Sequence, residues 1–316
     1  MTRRWQILLL GLALSVLCWQ ARAQAPGVRV AVVSSQLSAP HMDAAQALIR
    51  QLESRGVPRS SIQIYNPADV ASIPEATQTT IKVWVALGTQ AAMVLGKSRL
   101  KAPALGALVP RAAFERVLRA TGHQLSPQFN VVYLDQPLSR QMALIRLALP
   151  ESNRVGVLLG PDAWHRNASL RDAASANGLA LRATQVDDDD ALFAALQSVL
   201  EDSDVLLAQA DPLVFNSHSI QNILLTTIRA NVPLIAFSPA YVRAGALLAL
   251  YSTPTQAGAQ AAHWVLEVLA GRQLPAQPLE PDDFEISVND QVARVLALTL
   301  DAQALRLALK QQERQP

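Results

Sequence analysis

Cysteine is all but missing: Cys18 is the only one in 316 residues. It lies in a segment expected to be removed, so the mature chain forms no disulfide and must be held together by its own apolar core. Aromatic residues make up 5% and charged residues 16% of the chain, against 50% hydrophobic. The histidines His41, His123, His165, His218 and His263 are scattered, and no pair has metal-ligand spacing. Each reads as a surface or loop histidine, although Trp164-His165 after Pro161-Asp162 has a second reading as cleft lining. No serine sits in a Gly-x-Ser-x-Gly turn, which argues against a hydrolase elbow. A Walker phosphate loop is absent too, so the chain is not an ATPase subunit. No short repeat is visible, which excludes a solenoid. A basic stripe is also lacking: without Arg3, Arg4 and Arg22 the formal charge of +2 becomes −1. Nucleic acid is therefore not an expected partner. No acid, base and nucleophile set converges, so neither an enzyme nor a cofactor is expected.

What is present begins at the N-terminus. Arg3 and Arg4 precede an apolar run from Ile7 to Leu17, and Ala21-Arg22-Ala23 follows. Positive start, apolar centre and small-residue exit read as a secretory signal peptide over residues 1–23, with Gln24 as the mature terminus. The run falls short of the about 20 apolar residues that span a bilayer. An uncleaved anchor is the rival reading. A lipoprotein is disfavoured, because Leu17 stands where a lipid-attachment site needs a small residue before the cysteine. The expected compartment is the periplasm.

The rest of the chain alternates. Val28–Ser34, Ile62–Tyr65, Val83–Leu87, Ala104–Val109 and Val131–Leu134 read as strands, with helical spacing at His41–Arg55 and Ala112–Arg119. The alternation restarts at Arg154–Leu159 and runs through Leu179–Val186, Val205–Ala208, Leu234–Phe237 and Ala246–Tyr251. Strands that are apolar throughout are buried on both faces, as in parallel sheets covered by helices. The fold class predicted is therefore α/β, with two Rossmann-like lobes of parallel strands. A helix over Gln256–Ala270, a Pro-rich connector Leu274–Pro281 and an extended segment Phe284–Val288 make the chain cross between lobes more than once. The expected division is 24–135 plus 252–284 for the first lobe and 136–251 plus 285–316 for the second. Lobes joined by several crossings form a hinge that closes on a ligand.

The segment Phe284-Glu285-Ile286-Ser287-Val288-Asn289, followed by Gln291 to Leu298, resembles the C-terminal signature of the ABC-transporter substrate-binding family. Ala86-Leu87-Gly88-Thr89-Gln90-Ala91-Ala92 resembles that family's first-lobe strand, turn and helix. Leu149-Pro150 with Arg154–Leu159, and Pro233–Tyr251 with Phe237-Ser238-Pro239, resemble its second lobe. The resemblance covers essentially the mature chain. It implies a type 1 periplasmic binding protein fold, a small-molecule ligand such as an amino acid, and an ABC permease as partner, with the protein itself a monomer. Asp211-Pro212 departs from the amino-acid binders, which carry a polar residue after the Asp; that puts aromatic amino acid specificity in doubt.

Ligands of open α/β sheets bind outside the carboxyl ends of the strands. Those ends nominate Ser34, Ser35, Gly88, Thr89, Gln90, Asp135, Gly160, Asp211, Ser238, Tyr241 and Tyr251. Thr89 and Gln90 open a helix whose amides and dipole favour a carboxylate; the plainer reading of Thr89 is an N-cap. Gly88 reads as a turn glycine allowing close backbone approach. Ser34 and Ser35 are either hydroxyl donors to ligand or loop caps. Asp211 either accepts from a ligand ammonium or starts a turn. Tyr241 either stacks on a flat ligand or packs its ring, and at Tyr251 a hinge role and a ligand role are not separable. The run Asp187–Asp190 reads as a solvated loop whose last members cap the next helix, not as a cation site. Three function classes fit unequally: a solute receptor for an importer, a sensor module presenting its closed form to a membrane kinase, and an enzyme, which lacks its residues.

Overall fold

The computed structural model describes residues 27–314. The expected signal peptide lies outside the described residues. Among them, no helix is long and apolar enough to cross a membrane.

In the first lobe, β1 (Val30–Ser34), β2 (Ile62–Tyr65), β3 (Val83–Leu87), β4 (Ala104–Val109) and β5 (Phe129–Tyr133) form one sheet in the order β2-β1-β3-β4-β5. Every pair is parallel. The uninterrupted apolar runs have a direct cause. Side chains alternate between faces along a strand, and both faces are covered. Val30 and Val32 enter one core together with Val83, Val85 and Leu87. Ala31 and Val33 enter the other with Trp84 and Ala86.

The first of these cores is closed by two helices far apart in sequence. Ala39–Ser54 contributes Ala44, Leu48 and Leu52, while Pro254–Leu269 contributes Ala261, Ala262 and Val265. Burying a leucine such as Leu48 stabilises by about 1.5–3 kcal/mol. Gly258 is the point of closest approach, since a Cβ there would stand 2.1 Å from the carbonyl oxygen of Ala44. The Pro254–Leu269 helix starts in a capping box, in which Thr253 Oγ1 accepts from Gln256 N and Gln256 Oε1 from Thr253 N.

The second lobe contains β6 (Arg154–Leu159), β7 (Ala180–Gln185), β8 (Val205–Leu207), β9 (Leu234–Ala236), β10 (Leu248–Tyr251) and β11 (Glu285–Val288), in the order β11-β10-β9-β8-β6-β7. The pairing is parallel, as expected, except at one edge. Strand β11 runs antiparallel to β10, pairing Tyr251 with Glu285 and Leu248 with Val288. It arrives from the first lobe rather than through a helical crossover, and a parallel neighbour demands such a crossover.

Three crossings lie side by side and are bonded to one another. Gln136 in the first donates to Ser252 Oγ in the second at 2.7 Å. Ser252 Oγ donates to the carbonyl of Asp283 in the third at 3.1 Å. Arg140 Nη1 reaches Gln136 Oε1 at 2.7 Å and Pro281 O at 2.9 Å, and its guanidinium lies 4.6 Å over the Phe284 ring. Asp283 is further held by Lys310 and Arg306, from the Ala302–Gln312 helix. The hydrogen bonds and positive charge outweigh burial there and hold the Asp283 carboxyl below its usual range.

Candidate functional site

The segments that follow β4 in the first lobe and β6, β8 and β9 in the second face a shared cleft. On the first-lobe side its wall is the Arg111–Thr121 helix. Strand β4 is irregular just before that helix: its pairing with β5 shifts between Gly106 and Val109, and Leu108 has φ 57°. Such a bulge re-aims the chain at a sheet's end. Pro110 follows, and Asp135 Oδ2 accepts from Arg111 N at 2.6 Å. Asp135, at the end of β5, thereby holds the first turn of the wall helix.

Between that helix and the second lobe lies a space of about 520 Å³, lined by Ala112 and Arg116 on one side and by Gly160–Ala163 and Asp211–Leu213 on the other. A neighbouring space of about 200 Å³ brings Pro110, Ala113 and Arg116 against Phe215, Phe237 and Tyr241. The three rings form an edge-to-face cluster, with centroids 5.0 Å apart for Phe237 and Tyr241 and 6.1 Å for Phe215 and Phe237. Tyr241 Oη donates to Phe215 O at 3.3 Å, and burial raises its pKa.

Two side-chain pairs bridge the cleft. Arg119 lies 3.2 Å from Asp162, and Glu115 lies 3.6 Å from His165 Nε2. These pairs set successive turns of the wall helix against one loop of the opposite lobe. At the start of the wall helix, Arg111 stacks 4.2 Å over the Tyr133 ring. Burial pushes the Tyr133 phenol up to about 12, with Arg111 opposing and Glu115 and Asp135 adding. Arg166, only 8% exposed, comes from the second lobe. Burial lowers its pKa, Asp135 opposes this, and Arg111 reinforces it.

The nominated residues separate in space. Gly160, Asp211 and Tyr241 line the cleft. The carboxylate of Asp211 is engaged by backbone: Oδ2 accepts from Gly160 N at 2.7 Å and Oδ1 from Leu213 N at 3.0 Å. It joins the loops after β6 and β8. Ser238 caps the short Pro239–Ala244 helix, its Oγ accepting from Ala240 N. Tyr251 pairs its hydroxyl with Ser287 Oγ at 3.0 Å and packs into the second-lobe core.

On the first lobe, Ser34 is buried and donates to Gln36 O at 2.8 Å. Ser35 Oγ accepts from Ala91 N at 2.9 Å. The helix amides expected to be free at Thr89 are thus partly taken. Gly88, at φ 90°, is the N-cap, and Thr89 is the first helical residue with Gln90 exposed beside it. His41, read from sequence as a surface or loop residue, stands here: a Cβ on Gly88 would lie 2.6 Å from His41 Nε2 and 2.7 Å from Ser35 Oγ. Its Nδ1 is 2.9 Å from Ser38 Oγ, and burial lowers its pKa. In the aspartate run the capping contact comes from Asp188, which accepts from Ala191 N at 2.8 Å, and not from the last members. Trp164 packs into the core, while His165 reaches the cleft rim.

Sequence reasoning missed Arg111, Glu115, Arg116, Arg119 and Arg166. Arg111, Glu115 and Arg119 recur four residues apart on one helix, with Arg116 beside Glu115, a signal available in principle. Nothing local marks Arg166.

The family model for ABC transporter substrate binding proteins matches residues 30–312. No curated protein matches the chain by sequence. Among solved structures, an ABC domain in complex with L-Trp from Streptococcus pneumonia is 15% identical, with 88% of this chain and 97% of that chain covered and a TM-score of 0.59. The ligand-free, open structure of a substrate-binding protein with adhesive properties from Clostridium difficile is 17% identical, covering 87% of this chain and 96% of that one, with a TM-score of 0.66. A conserved domain protein from Vibrio cholerae is 21% identical over 89% and 97%, with a TM-score of 0.59. At these identities the likeness is one of fold: two α/β lobes with mostly parallel sheets.

Proposed function

Because the chain belongs to the ABC transporter substrate binding protein family, we propose that it captures a small solute between its lobes and delivers it, outside the cytoplasm, to an ABC permease. The observation that carries this reading is the cleft of about 520 Å³ bounded by one helix of the first lobe and two loops of the second. A solute there contacts both lobes, so its binding energy favours the closed arrangement. The division at 24–135 plus 252–284 and 136–251 plus 285–316 puts the boundaries at the Gln136, Ser252 and Asp283 crossings, where short segments absorb rotation.

The solute class is an amino acid or a similar small carboxylate. Arg116 and the ring cluster Phe215, Phe237 and Tyr241 supply a cation beside an apolar wall. L-Trp belongs in any test panel, since the pneumococcal relative holds it. The protein acts as a monomeric receptor and not as an enzyme, exported on the signal-like segment at residues 1–23.

A thermal-shift screen of the mature protein against amino acids, purines, small acids and sugars tests the reading, because a solute that binds only the folded state raises the melting temperature. A stabilising solute whose effect is lost on blocking the cleft, as in Gly160→Trp, supports it. Stabilisation that survives the blocking substitution would place the solute elsewhere.

A further inference from the structure

The second lobe carries a groove that the solute cleft does not use. It lies between the starts of the Leu192–Glu201 and Ile220–Arg229 helices and holds about 300 Å³. These helices follow β7 and β8, so the groove opens at the carboxyl end of the sheet, the end that bears the cleft. Leu192, Phe193, Leu196 and Ile223 give it an apolar lining, and Phe193 is 57% exposed. An apolar patch left in water inside a polar rim marks a surface that a partner covers.

The rim carries one sign of charge. Asp187 to Asp190 are all exposed, and Asp189 lines the groove. Among the described residues, none of the four pairs with a lysine or arginine, and the groove lining holds neither. Asp187 accepts from Gln185 Nε2 at 2.6 Å and Asp188 from Ala191 N at 2.8 Å. The carboxylates of Asp189 and Asp190 have no such partner among the described residues. Neighbouring like charges repel one another, and a cation placed among them is attracted by all of them.

Groove and cleft share one loop. Asp211, Pro212 and Leu213 face the cleft, while Asn216, His218 and Ser219 line the groove. The loop is braced within itself: Asn216 Oδ1 accepts from His218 N at 2.9 Å and Ser219 N at 3.1 Å, and Ser219 Oγ donates to Val214 O at 2.6 Å. A partner therefore meets a surface already shaped, and loses little freedom in ordering it. A receptor that hands on a solute must dock with its cleft beside the acceptor. A groove contiguous with the cleft meets that requirement.

We propose that this groove is where the second lobe docks on its permease, taking an apolar side chain of the permease between the two helices and a neighbouring lysine or arginine onto the Asp187–Asp190 rim. The inference rests on the solute-delivery reading above and deepens it by naming the surface that meets the partner. An apolar anchor in a pocket supplies the affinity of such a contact. The charged rim supplies its orientation and the rate at which partners find each other.

The test replaces Phe193 by the photo-crosslinking residue p-benzoylphenylalanine in the full chain, made in the cells it comes from, and identifies light-induced adducts by mass spectrometry. A second chain carries the crosslinker in place of Leu37, which is 75% exposed in the loop after β1 of the first lobe. The Phe193 position is expected to give an adduct with the membrane subunit of an ABC permease. Its yield should fall about threefold or more when Asp189→Asn and Asp190→Asn are added; neither carboxylate is bonded in the free chain, so folding is kept. An undiminished yield in that variant overturns the proposal. So does an adduct with another protein, or with a second copy of this chain, in place of the permease. A permease adduct from Leu37 with none from Phe193 overturns it while leaving solute delivery standing, and no permease adduct from either position counts against both. If replacing Phe193 disturbs folding by circular dichroism, the crosslinker moves to the exposed Asn222 on the other bank of the groove, with the same outcomes.

Discussion

Gln136 Nε2 donates to Ser252 Oγ at 2.7 Å, joining two crossings that lie 116 residues apart in sequence. The same amide accepts from Arg140 Nη1 through its oxygen, and all three residues are buried. Gln136→Ala leaves Ser252 and Arg140 each short of a partner. We expect a loss of about 2–3 kcal/mol in urea unfolding, against about 1 kcal/mol for Ser252→Ala. Equal losses would mean that the two side chains matter only as a pair.

Arg119 and Asp162 face each other across the rim at 3.2 Å, both more than half exposed. An exposed pair contributes at most about 1 kcal/mol to stability, so its substitution shows in shape, not in melting. Arg119→Glu puts like charges across the rim and is expected to increase the radius of gyration measured by X-ray scattering without solute. Adding Asp162→Arg should restore it. A radius unaffected by either change would show that the rim pair does not bias closure.

Gly258 sits mid-helix, where alanine is ordinarily better than glycine by about 1 kcal/mol. Here the sign reverses. A Cβ at this position meets the Ala44 backbone carbonyl at 2.1 Å, which no rotamer change relieves. Gly258→Ala is expected to cost about 3 kcal/mol or more in chemical denaturation, through forced separation of the two helices. A neutral or stabilising outcome would contradict the close crossing.

Tyr133 makes stability depend on alkaline pH. Its phenol stands at about 12 in the folded protein, raised mainly by burial, against about 10 in the unfolded chain. The contribution is fully present below pH 10 and is lost as pH rises from about 10 to about 12, because the unfolded chain releases the proton first. The loss approaches about 2–3 kcal/mol. Tyr133→Phe should flatten the fall in denaturant-measured stability over that window; an identical slope in the variant would assign the fall to other groups.

The lobes were legible because burial on both faces of a parallel sheet leaves a mark in every strand. Val30 to Val33 are all apolar for that reason, and Gly88, Gly122 and Gly245 end their elements with positive φ. The direction of β11 was not legible. Glu285-Ile286-Ser287-Val288 reads as a strand in either sense, and only its arrival from the first lobe sets it antiparallel. Of the residues nominated from strand ends, Gly160 and Asp211 line the cleft, as does Tyr241 from the short helix after β9, but the carboxylate of Asp211 is engaged by two backbone amides. No local signal announces a bond between residues 51 positions apart, such as Gly160 and Asp211.

By itself, the amino-acid order determined which segments are buried and which turn, since apolar patterning and glycine conformations act over a few residues. Tertiary structure decided which charges meet. Arg119 and Asp162 are ordinary surface charges on a helix and a loop until the two lobes bring them within 3.2 Å of each other. Electrostatic energy depends on distance and on exclusion of water, and neither exists before the chain has folded.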